Sequence, residues 1–130
     1  MKVSGKFEVK LNPLEFYAKG QDGNNLSRMS LDKSYEGDLV AESKGEMLSA
    51  MTSVQGSAAY VAMEQVIGSL SGKKGSFVLQ HFGVMNAGKN RLMLVVVPNS
   101  GTGELIGLKG EMEIKIEDDQ HLYELDYDFS

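Results

Sequence analysis

The sequence of 130 residues predicts an all-β fold, a closed antiparallel barrel of eight strands. Three observations carry that expectation. From Leu108 to Ile116, Met112, Ile114 and Ile116 alternate with Glu111, Glu113 and Lys115, the period-two pattern of a strand with one wet and one oily face. Strand-length segments recur along the chain, punctuated by turns drawn from 15 glycines against only 2 prolines. The outward side of the first strand carries Lys2, Lys6 and Lys10, and that of the last carries Glu124, Asp126 and Asp128. Pairing these two strands closes the sheet with opposite charges across the seam and discourages pairing with a foreign edge.

The elements follow in order. Val3, Gly5, Phe7, Val9 and Leu11 alternate with Lys2, Ser4, Lys6, Glu8 and Lys10 in a half-buried first strand. A long loop from Asn12 to Asn25 is expected next; its Leu14, Phe16 and Tyr17 are apolar enough to fold over a barrel mouth as a lid. The second strand runs from Arg28 to Tyr35, with Met29, Leu31, Lys33 and Tyr35 on one face. Lys33 falls on the apolar parity, where a bulge would turn it outward.

A turn at Gly37-Asp38 leads into Leu39 to Thr52, and another near Gln55-Gly56 into Ser57 to Leu70. Helix is the rival for that last segment, but β-branched residues and flanking glycines favour strand. Ser76 to Met85, Arg91 to Val97, Leu108 to Ile116 and Leu122 to Phe129 complete the eight. Before Leu108 lies the turn Pro98-Asn99-Ser100-Gly101-Thr102-Gly103-Glu104. There Gly101 and Gly103 permit positive φ, and Gly107 and Gly110 allow close approach at a barrel corner.

Composition bounds the function. Residues 1–130 suffice for one domain, and there is no cysteine, which removes disulfides, thiolate nucleophiles and thiolate metal sites. A net charge of -5 and a pI of about 5.0 argue against a nucleic-acid partner. The longest apolar run, Leu92 to Val97, is strand-sized, so neither a membrane span nor a signal peptide is expected and the cytoplasm is the expected location. The central strands are apolar on both faces: Phe77 and Leu79 on one side, Val78 and Phe82 on the other. A monomeric barrel needs one such face, so a homodimer or higher homo-oligomer is expected.

Few residues can carry chemistry. His81 shares a strand face with Phe77 and Leu79, whereas His121, beside Asp118 and Asp119, reads as a solvated turn residue. The two lack metal-ligand spacing, and neither a metal nor a cofactor is expected. Glu64 stands among apolar residues in Tyr60-Val61-Ala62-Met63-Glu64-Gln65-Val66-Ile67. Its carboxyl would be pushed up by burial unless it meets a donor such as Tyr60, Gln80, His81 or Lys33. Glu64, Tyr60, Gln80 and His81 are therefore the candidate ligand-binding residues, and no catalytic set is assigned. Glu46 is a weaker acid of the same kind. The seven internal methionines are scattered over most strands, as adaptable pocket lining or plain core. The glycine-rich turn lacks the Lys-Ser/Thr and helix of a phosphate loop.

With the barrel pattern, the Ser100-Gly101-Thr102-Gly103-Glu104-Leu105-Ile106-Gly107-Leu108-Lys109-Gly110 segment resembles the allene oxide cyclase and dirigent superfamily. More closely, the chain resembles a family of uncharacterised bacterial proteins with an allene-oxide-cyclase-like barrel. That likeness lies in Glu46-Met47-Leu48-Ser49-Ala50, Gly56-Ser57-Ala58-Ala59-Tyr60-Val61-Ala62, Gly75-Ser76-Phe77-Val78-Leu79-Gln80-His81 and Val97-Pro98-Asn99-Ser100-Gly101-Thr102-Gly103. The resemblance implies a barrel able to hold a small apolar molecule. The cyclase's catalytic groups have no residue-by-residue counterpart here, so its reaction does not transfer. Binding of a small apolar ligand is the leading expectation. The alternatives are a cyclase or isomerase acting on an unsaturated lipid-like substrate, and a structural oligomer whose barrel is filled by its own side chains.

Overall fold

The computed structural model describes residues 1–130. Eight strands follow one another: β1 (Lys2–Leu14), β2 (Asn25–Gly37), β3 (Leu39–Met51), β4 (Ala58–Leu70), β5 (Lys73–Asn86), β6 (Lys89–Val96), β7 (Leu108–Glu117) and β8 (Gln120–Phe129). A single 3-10 turn, Gly103–Leu105, precedes β7. Each strand pairs antiparallel with its chain neighbours, and β8 returns to β1 to close the barrel. The segment with helix as its rival is strand β4. Two-residue turns with both φ angles positive, at Ser71-Gly72, Ala87-Gly88 and Asp118-Asp119, tighten three of the hairpins.

Closure follows the charge pattern. Lys2 pairs in register with Asp126, and its ammonium lies 3.7 Å from Glu124. Lys6 instead meets Glu36 of β2 at 3.4 Å, and Lys10 lies past the β1–β8 pairing, which ends at Phe7 opposite His121. These pairs are exposed, so they specify register more than they stabilise it.

The expected lid is absent as such. β1 continues to Leu14 and β2 starts at Asn25, because their pairing persists through Asn12↔Ser30, Pro13↔Met29 and Leu14↔Arg28. Pro13 is tolerated there because β8 no longer runs beside β1, so no ladder bond is missing on that side. The segment is a projecting hairpin arm, and Tyr17 at its tip is fully exposed.

The two ends of the barrel differ. At one end Leu39, Val66, Leu70, Phe77, Leu94 and Leu125 form the sealed centre of the core. The glycine-rich segment between β6 and β7 caps that end and buries Leu105. It also solves a pairing problem. β6 pairs with β5 only from Leu79 onward, leaving the amides of Lys74, Ser76 and Val78 without a strand partner. Glu104 Oε1, Thr102 Oγ1 and Ser100 Oγ accept from those three amides at 3.0, 3.1 and 3.0 Å. Gly103 and Gly107 take positive φ (61° and 86°), but Gly101 does not: a Cβ there would overlap the Leu105 carbonyl.

The other end is open. β6 and β7 are in register only at Leu94↔Met112 and Val95↔Glu111, so Lys89–Met93 and Glu113–Glu117 leave a slit in the wall. The outer wall is divided too. Leu48, Val61, Phe82 and Met93 lie side by side on β3, β4, β5 and β6, all exposed.

Candidate functional site

Midway along the barrel four strands each point polar groups inward. β2 contributes Lys33 and Tyr35, β3 Ser43, β4 Glu64 and β5 His81, all buried. They come together because cross-strand partners share a face: Lys33 pairs with Ser43, and Glu64 sits opposite Gly45 on β3 and Leu79 on β5. Lys33 points inward with no bulge in β2 to turn it out.

Glu64 is the hub and is 0% exposed. Its Oε1 accepts from Lys33 Nζ at 3.2 Å and from His81 Nε2 at 2.7 Å. Its Oε2 accepts from Ser43 Oγ at 2.5 Å and from the Tyr35 hydroxyl. Four donors occupy the roughly four lone-pair sites of a carboxylate, so the group is saturated. Burial alone would push its carboxyl up. The His81 hydrogen bond, the Lys33 charge and the Ser43 and Tyr35 hydrogen bonds outweigh burial and hold it at about 2.

Burial lowers the Lys33 ammonium, and Glu64 partly offsets this. The same ammonium lies 4.7 Å from the centre of the Phe7 ring, within range of a cation–π contact. Burial and the Glu64 charge together push the Tyr35 phenol well above its usual range. No buried side-chain nitrogen or oxygen in the protein lacks a partner.

Above this layer, toward the open end, lies a cavity of about 530 Å³, with 11 of its 15 lining residues hydrophobic. Met47, Leu92, Ile114 and Ile116 form much of its wall, and Tyr60 and Gly83 its lower part. The Tyr60 ring lies flat over Gly83, its cross-strand partner, where any Cβ would collide with the ring. That contact sets the ring beside His81, one inward position deeper on β5, with the ring centres 6.3 Å apart. Burial and the nearby Glu64 raise the Tyr60 phenol.

Two polar atoms here have no partner in the protein. The Tyr60 hydroxyl makes no hydrogen bond, and His81 is bonded only through Nε2. Since every buried polar side-chain atom is satisfied, neither the hydroxyl nor His81 Nδ1 is sealed away. Because Nε2 faces an ionised carboxylate, it donates to Glu64 Oε1, and Nδ1 is left without a partner in the protein.

Of the residues singled out in the sequence, Glu64 and His81 meet directly, and Tyr60 packs against His81. Gln80 does not join them. It lies on the opposite parity of β5, exposed on the outer wall, because adjacent strand residues face opposite sides. Glu46 is also outside, bound to Arg28 at 2.6 Å. His121 is not a solvated turn residue: it is half-buried on the inner parity of β8, its ring 5.2 Å from that of Phe7. Ser43 and Tyr35 escaped sequence reasoning as donors. Extending the register from the Gly37-Asp38 turn, which places Lys33 opposite Ser43, would have found Ser43. No group of three or more His, Asp or Glu side chains is arranged to hold a metal ion.

Residues 3–127 match the family described as a protein of unknown function, DUF3224. Among solved structures, a crystal structure at 1.84 Å of a DUF3224 protein of unknown function from Shewanella oneidensis MR-1 is 62% identical, with a TM-score of 0.98. The alignment covers 100% of this chain and 97% of that one. A search of curated proteins gives no match.

Proposed function

The chain belongs to DUF3224, and we propose that its barrel binds a small, largely apolar molecule in the cavity at the open end. The carrying observation is the contrast between the two ends of one barrel. The closed end is packed with side chains, while the open end holds about 530 Å³ of mostly apolar space, within the size range of ligand pockets. A barrel that served only as a structural unit would fill both ends. The likeness of the sequence to allene-oxide-cyclase-like barrels supports the same reading, and a chain without cysteine suits a cytoplasmic protein.

The roles at the floor divide by what each atom has left to offer. Glu64 has no free lone pair, so it orients His81 and balances Lys33. Tyr60 lines the cavity and faces the ligand, with His81 packed beside its ring. The test is native mass spectrometry of gently purified protein beside the denatured sample. Extra mass that leaves on denaturation is the expected result. A clean native mass, together with no uptake of added apolar dye, would overturn the reading.

One observation favours a second reading, an isomerase. A carboxylate that holds one imidazole nitrogen and leaves the other without a protein partner is the arrangement of a general base. His81 Nδ1 would take a proton from one carbon of an unsaturated substrate and return it at another, with Tyr60 donating to the oxygen that gains charge. Glu64→Gln would then abolish turnover while ligand uptake persisted.

A further inference from the structure

We propose that Gly83 sets the depth of the open-end cavity by holding the Tyr60 ring down as its floor, and so limits how far a ligand reaches into the barrel. The inference rests on the binding reading and names what controls selectivity at that site. Tyr60 is an inward residue of β4, flanked in register by Ser49 on β3 and Gly83 on β5. Inward side chains stand roughly perpendicular to their sheet, so a tyrosine here would ordinarily project across the lumen. The ring leans instead into the place of the side chain that Gly83 lacks. A Cβ added to Gly83 would overlap ring carbons Cε1 and Cδ1, lying 2.6 Å from the latter. Covering a strand glycine with a cross-strand aromatic is a recurrent packing device.

Gly83 differs in this from the other glycines inside the strands. At Gly45, Gly68 and Gly110 an added Cβ would first meet a backbone carbonyl oxygen of the neighbouring strand, so those glycines serve the close approach of two backbones. At Gly83 the three nearest atoms all belong to the Tyr60 ring. This glycine therefore makes room for a side chain, and that side chain lines the cavity. With its hydroxyl unbonded in the protein, the ring is held by packing alone.

The ring is the boundary between two environments. On its upper side Met47, Leu92, Ile114 and Ile116 wall the apolar space. On its lower side lie Ala62 and His81, a register pair one inward position deeper, each only 4% exposed and neither lining the cavity. The centre of the Tyr60 ring is 6.3 Å from that of His81. A methyl group at position 83 would push the ring up into the space a ligand needs. Removing the ring would make Ala62 and His81 the floor, two residues or roughly 6–7 Å farther along the strand.

The test uses naphthalene, phenanthrene and pyrene, apolar probes of increasing size. With no tryptophan in the chain, their fluorescence can be excited apart from the protein. Gly83→Ala should weaken pyrene binding by roughly tenfold or more, the cost of a methyl-sized overlap in an apolar pocket, and leave naphthalene within about twofold. Adding Tyr60→Ala to Gly83→Ala should restore pyrene binding, because the displaced ring is then gone. Damage to the fold would instead accumulate over the two substitutions, so this rescue separates a floor from a structural support. Tyr60→Ala alone should bind pyrene more tightly than wild type, and it decides the matter by itself if Gly83→Ala does not fold.

A Gly83→Ala variant that binds pyrene as wild type does, or loses all three probes equally, would overturn the depth inference and leave the binding reading standing. So would a double variant no better than the single one, or a Tyr60→Ala variant with no gain for pyrene. No binding of any probe by wild type would overturn both.

Discussion

Glu64 shows how a buried carboxylate is made tolerable. Moving such an ion out of water costs several kcal/mol, and four donors with one matching cation offset that cost. Because its folded pKa lies below the ordinary value of 4.5, near 2, its contribution is present above pH 4.5. That contribution is lost as the pH falls through about 2. Over that window wild type should lose on the order of 3 kcal/mol from this group. At neutral pH, Glu64→Gln leaves Lys33 buried without its counter-charge and should cost about 3–5 kcal/mol. The exposed pair behaves differently, and Glu46→Gln should leave stability nearly unchanged because water already screens its contact with Arg28. Urea unfolding of wild type and the two variants at pH 7 and pH 3 checks both statements. The Glu64→Gln variant should be weaker at pH 7 yet less sensitive to acid than wild type.

Among the elements, the glycine-rich segment before β7 was the most conspicuous feature of the sequence, and its role is structural. Its hydroxyls and one carboxylate stand in for the missing half of β6 along the edge of β5. Ser100→Ala removes the acceptor of the Val78 amide and should cost about 1–3 kcal/mol, with faster hydrogen exchange at Val78. Unchanged exchange at that amide would show that water replaces the serine at no cost. β1 and β2 carry a different lesson. Their apolar alternation fades beyond Leu11, so the sequence reads as a loop, yet strand pairing continues to Leu14 because backbone hydrogen bonds need no side-chain pattern.

The barrel as a unit is polarised, sealed at one end and slit at the other. Stability should follow that axis. Amide exchange should be slowest around Val66, Leu79 and Leu125 and fastest in the β1–β2 arm, Lys89–Met93 and Glu113–Glu117, where ladder partners run out. Ligand in the open cavity should slow exchange on both margins of the slit, since Leu92 lines one side and Ile114 and Ile116 the other. A ligand that protects only the closed end would argue against the open cavity as its site.

Period-two alternation, turn residues and charge are all legible in the chain, and they were enough for the class of fold, the number and order of the strands and the closing seam. They also pointed to Glu64, Tyr60 and His81, which are polar residues on an apolar face. The folded barrel was needed to learn that Lys33 faces inward, that Ser43 and Tyr35 complete the shell around Glu64, and that Gln80 stands outside. Register accounts for the difference. Parity along one strand gives two possible faces, and which face is inside depends on the neighbours to which hydrogen bonds tie it. Which end of the barrel is open was likewise settled in three dimensions, where β6 is too short to wall both ends and a loop closes only one.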